Sequence, residues 1–173
     1  MKTVCCAGIA AVLLTIVALT DARGTLAQTA APASYRVGPI LVEAPWSREA
    51  PGGVRRAVGY MRITNTGQQA DRLVGGTAAG PGRLEVHQSV TADGFARMQA
   101  VAEGLVIGPG ETVELKPGGP HVMLVDLRQG PKAGEIIKGT LVFEKAGMVD
   151  IEYQVGGVGI RSAPTAAAGH HHH

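Results

Sequence analysis

Cysteine is almost absent from this chain. Cys5 and Cys6 are the only two, and both lie before or at the start of the apolar run Ala7–Leu19. Lys2, that run and the small residues of Thr25-Leu26-Ala27 read together as a secretory signal peptide over residues 1–27, with cleavage after Ala27 and Ala22 as an earlier candidate. A lipoprotein cysteine would follow the apolar run, so no lipid anchor is expected. The run has 13 residues, short of the roughly 20 that span a bilayer, so the mature protein is not expected to be membrane-embedded. Once the leader is removed, no cysteine remains. That excludes a disulfide framework and any thiolate ligand, and with the thiolate goes a blue-copper electron carrier, which requires one. Charge of one sign is missing as well. The whole chain carries a formal net charge of +2 with acidic and basic residues interspersed, and no basic run offers a footprint for nucleic acid. No G-x-S-x-G nucleophile motif occurs, and neither histidine of the chain body has an obvious orienting carboxylate in sequence, so the chain is not expected to be an enzyme.

Long amphipathic helical periodicity is absent too. What the sequence does contain is short β-type runs cut by Gly, Pro, Asn and Asp. Strands are predicted at Ile40–Glu43, Ala57–Thr64, Asp71–Gly75, Arg83–Ser89, Arg97–Val101, Gly104–Ile107, Thr112–Leu115, His121–Leu127, Ile136–Glu144 and Val149–Val155. Breakers at such close intervals imply a single all-β domain, a sandwich or small barrel. The expected organisation is a leader peptide (1–27), a flexible leader segment (28–39), a β-domain (40–160) and a flexible tail (161–173).

The histidines are grouped rather than scattered. His170–His173 end the chain, and the other two are His87 and His121, each accompanied by methionine. Ten residues separate His87 from Met98, a further 22 lead to His121, and His121-Val122-Met123 closes the set. Imidazole and thioether without thiolate select a soft metal, above all Cu(I). Residues i and i+2 project from one face of a strand, so His121 and Met123 can reach one ion while Val122 and Leu124 face the core. In the same way Glu85 and His87 face away from Leu84 and Val86. A hairpin turning at Ala92-Asp93-Gly94 would fold Met98 back toward His87. Met61 and Met148 read as structural. Glu85 and Asp126 are candidate partners for the imidazoles. Taken singly, each His or Met could equally be a packing residue, and a metal-free immunoglobulin-like interaction module would explain the strands alone.

The pattern H-x(10)-M followed by H-x-M strongly resembles the periplasmic copper chaperone family called PCu(A)C. The neighbouring text agrees in order: Ala44-Pro45-Trp46-Ser47-Arg48, Gly59–Gly67, Ala70–Gly75, Glu114–Leu124 and Phe143–Gly147. The resemblance runs from Ile40 to Val155. It implies a cupredoxin-like Greek-key β-sandwich holding one Cu(I) through His87, Met98, His121 and Met123. It also implies a periplasmic location and copper delivery to the Cu(A)-containing subunit of cytochrome c oxidase, with a thiol-based assembly factor as a further partner. A periplasmic copper buffer or resistance protein is the neighbouring alternative. Two departures stand out: one extra residue between Met98 and His121, to be absorbed between Gly108 and Pro120, and Gln88-Ser89 where many members carry an additional Met. The tail His170–His173 has no thioether and suits Cu(II); it reads as a native metal-capturing tail or as part of a purification tag.

Overall fold

The computed structural model describes residues 32–92 and 95–164. The leader peptide, the turn residues Asp93-Gly94 and His170–His173 lie outside the described residues. Eleven strands follow one another: β1 (Ser34–Val37), β2 (Ile40–Arg48), β3 (Ala57–Asn65), β4 (Asp71–Ala78), β5 (Gly82–Ala92), β6 (Phe95–Ala100), β7 (Leu105–Ile107), β8 (Thr112–Leu115), β9 (His121–Val125), β10 (Ile136–Phe143) and β11 (Gly147–Gly156). One short 3-10 turn, Pro51–Gly53, interrupts the β2–β3 connection.

Hydrogen bonding runs β2-β11-β10-β4-β5-β9-β3 and returns from β3 to β2, which closes the sheet on itself. β1, β6, β7 and β8 extend this ring from β2, β5, β4 and β3. The closing seam is the parallel pairing of Gln154–Gly156 with Trp46–Arg48; the other pairings of the ring are antiparallel. The all-β single domain expected from the sequence is the fold observed.

Alternation decides what fills the ring. Leu84 and Val86 of β5, Val122 and Leu124 of β9, and Ile151, Tyr153 and Val155 of β11 point inward and are buried. Met61 is core, as its sequence setting implied. Gly59 has no side chain for a reason: a Cβ there would sit 2.6 Å from Val122 Cγ2 and 2.8 Å from Tyr153 Cε1. Asn65 ends β3 by folding its amide over the turn. Its Nδ2 donates to Gln69 O at 2.7 Å and Ile107 O at 3.1 Å, and its Oδ1 accepts from Gly67 N at 2.9 Å.

Three of the boundaries that differ from the sequence expectation have a clear local cause. Ser34–Val37 is a paired strand, so the segment expected to be a flexible leader over 28–39 is ordered at its end. Val37 and Tyr35 pack against the core there, and Tyr35 Oη accepts from Glu152 N at 3.2 Å. β2 continues through Pro45 because Ala44, at φ 47°, forms a bulge that shifts the β2–β3 register between Glu43 and Trp46. β9 stops at Val125 because Asp126, at φ 57°, turns the chain. Arg161–Pro164 follow the domain as irregular chain against Gly156.

Candidate metal centre

β5 and β9 lie side by side, and their register sets His87 directly opposite His121 and Glu85 directly opposite Met123. β6 pairs with the far part of β5, with Ser89 opposite Met98 and His87 opposite Ala100. Directly opposed residues share a face, and their diagonal neighbours remain within reach of long side chains. His87, Met98, His121 and Met123 therefore share the outer face of the ring. Met98 is diagonal to His87, while Met123 is diagonal to His87 and two residues from His121. The two methionines flank the histidine pair from opposite ends. Four residues of β5 and two strand spacings separate them, roughly 13 Å along and roughly 10 Å across the sheet.

The imidazole centroids of His87 and His121 are 5.8 Å apart, with the rings tilted by 33°. Two imidazoles binding one ion at about 2.0–2.1 Å per metal–nitrogen bond place their centroids roughly 5–6.5 Å apart, so this pair is already spaced for a shared ion. Among the described residues no cluster of three or more His, Cys, Asp or Glu is arranged to hold a metal. Two imidazoles and two thioethers on one face could serve as a soft donor set, better suited to copper than to ions that prefer oxygen.

Hydrogen bonds fix the rings. His121 Nδ1 lies 3.0 Å from Gly119 O. A carbonyl only accepts, so Nδ1 carries the proton and Nε2 keeps its lone pair for a metal. His87 Nε2 lies 3.1 Å from Glu85 Oε2. The hydrogen bond from His87, then the bond and charge of Arg83, hold the Glu85 carboxyl below its ordinary range against the opposing effect of burial. An ionised Glu85 accepts from Nε2–H and leaves the His87 lone pair on Nδ1. Of the two carboxylates considered from sequence, Glu85 thus reaches an imidazole. Asp126 is bonded to Arg83 instead.

Exposure grades the four candidates. His121 is 7% exposed and Met98 is 55% exposed; His87 and Met123 are half-buried. Met148 is 70% exposed and belongs to β11.

An aromatic wall beside His121 was not singled out in the sequence. Tyr60 lies with its ring centroid 6.5 Å from that of His121, and Trp46 stacks on Tyr60 at 4.5 Å. The Arg48 guanidinium covers both, 5.8 Å and 5.6 Å from their centroids. Burial, opposed by the Arg48 charge, raises the Tyr60 phenol above its ordinary pKa. Alternation along β3 could have revealed that Tyr60 shares a face with Val58, but the β3–β9 register that brings it to His121 is not local.

The fold and this face define a small cupredoxin-like domain carrying a surface His/Met donor set. The family of putative lipoproteins described as LpqE-like matches residues 40–155. A putative lipoprotein of Leifsonia xyli subsp. xyli (strain CTCB07), Lxx21020, is 33% identical over 135 residues, 78% of each chain. Among solved structures, the copper-bound PCuAC domain from PmoF2 is 32% identical, with a TM-score of 0.59 over 72% of this chain and 98% of that domain. The CuI form of DR1885 from Deinococcus radiodurans is 26% identical, with a TM-score of 0.53 over 75% of this chain and 85% of its own. The chain belongs to the PCu(A)C family, within its LpqE-like members.

Proposed function

We propose that this protein is an exported Cu(I) chaperone. It holds one copper ion through His87, Met98, His121 and Met123 and passes it by ligand exchange to the Cu(A) centre of cytochrome c oxidase in the periplasm. The observation that carries this reading is the opposed pair His87 and His121, 5.8 Å apart, on the same sheet face as the two methionines. Solved relatives whose structures contain copper support it. Neutral imidazole and thioether bind Cu(I) without a charged lock, and their position on an outer face leaves room for incoming ligands. Although relatives are described as lipoproteins, Cys5 and Cys6 precede the apolar run in this chain. Export without a lipid anchor is therefore proposed. His170–His173 would collect Cu(II), and a thiol-based factor would keep the acceptor cysteines reduced.

The test is anaerobic Cu(I) competition against a chromophoric chelator, on the mature chain with and without His170–His173. One tightly bound copper in both forms, followed by metallation of a Cu(A) domain, is the expected result. Copper held but never transferred would make the protein a buffer. No copper bound without the tail would leave the sandwich as an interaction module.

A further inference from the structure

Beside Met123 the outer face opens into a cavity of about 350 Å³ between the Pro51–Gly53 turn and the loop after β11. Its walls are Pro51, Val54, Val58, Met123 and Val158. Val54 and Val158 both line it and are 48% and 53% exposed. Arg48 and Arg56 line the same groove, and Arg55 precedes Arg56 in sequence. Arg55 is held by its Nε donating to Leu127 O at 2.6 Å, and Arg48 Nε donates to Ile160 O at 2.8 Å. The acidic member, Glu49, accepts from the Ala133 backbone N–H at 3.3 Å. Arg48 and Val158 also border the neighbouring cavity, where Arg161 adds a further cation and Lys116 is paired with Glu114 at 2.8 Å.

We propose that this groove is the docking site for the copper acceptor, a protein that presents an apolar side chain within an acidic surround. The proposal rests on the chaperone reading above and adds where and how the acceptor binds. Two features of the groove support it. Its wall includes a candidate copper ligand, so an acceptor seated there has its own ligands beside the metal. Its rim is basic and its floor apolar, the combination that steers an acidic partner and then desolvates its anchor. A second copy of this chain would bring like charges together at the same rim. An anionic membrane would favour a protruding apolar face rather than a recess between two valines.

The experiment follows Cu(I) transfer by stopped flow, anaerobically, from the loaded protein to a soluble Cu(A) domain and separately to a small chromophoric chelator. The variants are Arg56→Glu and, independently, Val54→Asp and Val158→Asp. Circular dichroism and Cu(I) affinity serve as controls, since none of the three is a ligand. Transfer to the Cu(A) domain is expected to slow at least tenfold at low salt in Arg56→Glu and to lose most of its salt dependence, with chelator uptake unchanged. The valine variants should slow protein transfer at every salt concentration. Unchanged protein transfer in all three variants would overturn the proposal. So would a loss shared equally with the chelator, or an effect of Arg56→Glu confined to binding of phosphatidylglycerol vesicles or to self-association. If the unaltered protein binds Cu(I) but never metallates the Cu(A) domain, the delivery reading itself fails, a result distinct from these.

Discussion

Replacing Met123 with leucine separates what its sulfur does from what its carbon chain does. The side chain is half-buried opposite Glu85 and Val58, and a Met-to-Leu exchange conserves volume at a cost usually below about 1.5 kcal/mol. Met123→Leu is therefore expected to leave urea unfolding nearly unchanged while Cu(I) affinity falls on the order of 10–100-fold, about 1.4 kcal/mol per factor of ten. Equal losses in chelator competition and in unfolding would count against a metal role. Glu85 acts one step further out. Glu85→Gln removes the carboxylate that accepts from His87, and the loss of such a ligand-orienting partner typically lowers metal affinity about 10–100-fold. Chelator titration of that variant checks the assignment.

Among the strands, Asp71 ties together segments far apart in sequence. At the start of β4 it is buried, and its carboxylate receives three backbone N–H groups: Arg72 at 2.7 Å, Lys145 at 2.9 Å and Ala146 at 2.9 Å. These bonds pin the β10–β11 turn to β4. Burial alone would raise the Asp71 pKa, but the three N–H groups and the Lys145 charge outweigh it and hold the carboxyl below its ordinary value. A depressed folded-state pKa contributes stability above the unfolded value, near about 3.9, and loses it as pH falls through the lower folded value. Asp71→Asn should cost about 1–3 kcal/mol at neutral pH. Its deficit against the parent should shrink in denaturant titrations carried below about pH 4. None of this was legible in the sequence, where Asp71 simply opened a strand. Local signals were read well where they sufficed. Thr112–Leu115 was placed to the residue between its breakers, and the inward set Leu84, Val86, Val122 and Leu124 followed from alternation. Where the chain overrode a breaker, at the Ala44-Pro45 bulge, or folded a mostly exposed strand, at Ser34–Val37, local pattern was not enough. The four candidate ligands were named from residue type and spacing. Their arrangement, with His87 opposite His121 and a methionine at each end, is a property of β5–β9 and β5–β6 register, which no single segment encodes.

At the scale of the whole molecule, the Tyr153 hydroxyl is a polar group out of keeping with the apolar interior of the described residues. Tyr153 is fully buried, and its hydroxyl has no hydrogen-bond partner among the described residues. Burial drives its phenol far above the ordinary tyrosine pKa. Because an unpartnered buried hydroxyl is costly, Tyr153→Phe is expected to raise stability by about 1 kcal/mol, read as an increased Tm with the copper stoichiometry unaltered. The ring around that tyrosine closes by joining Trp46–Arg48 to Gln154–Gly156. β1 covers the Ile40–Glu43 part of that β2 edge, so a chain emerging amino-terminus first has to keep only its Trp46–Arg48 stretch waiting, unpaired, until almost the entire domain is available. Timing becomes part of the architecture: until β11 arrives, nothing within the domain covers that stretch of the edge. A product cut short before β11 would leave an unprotected strand edge of the kind that templates aggregation.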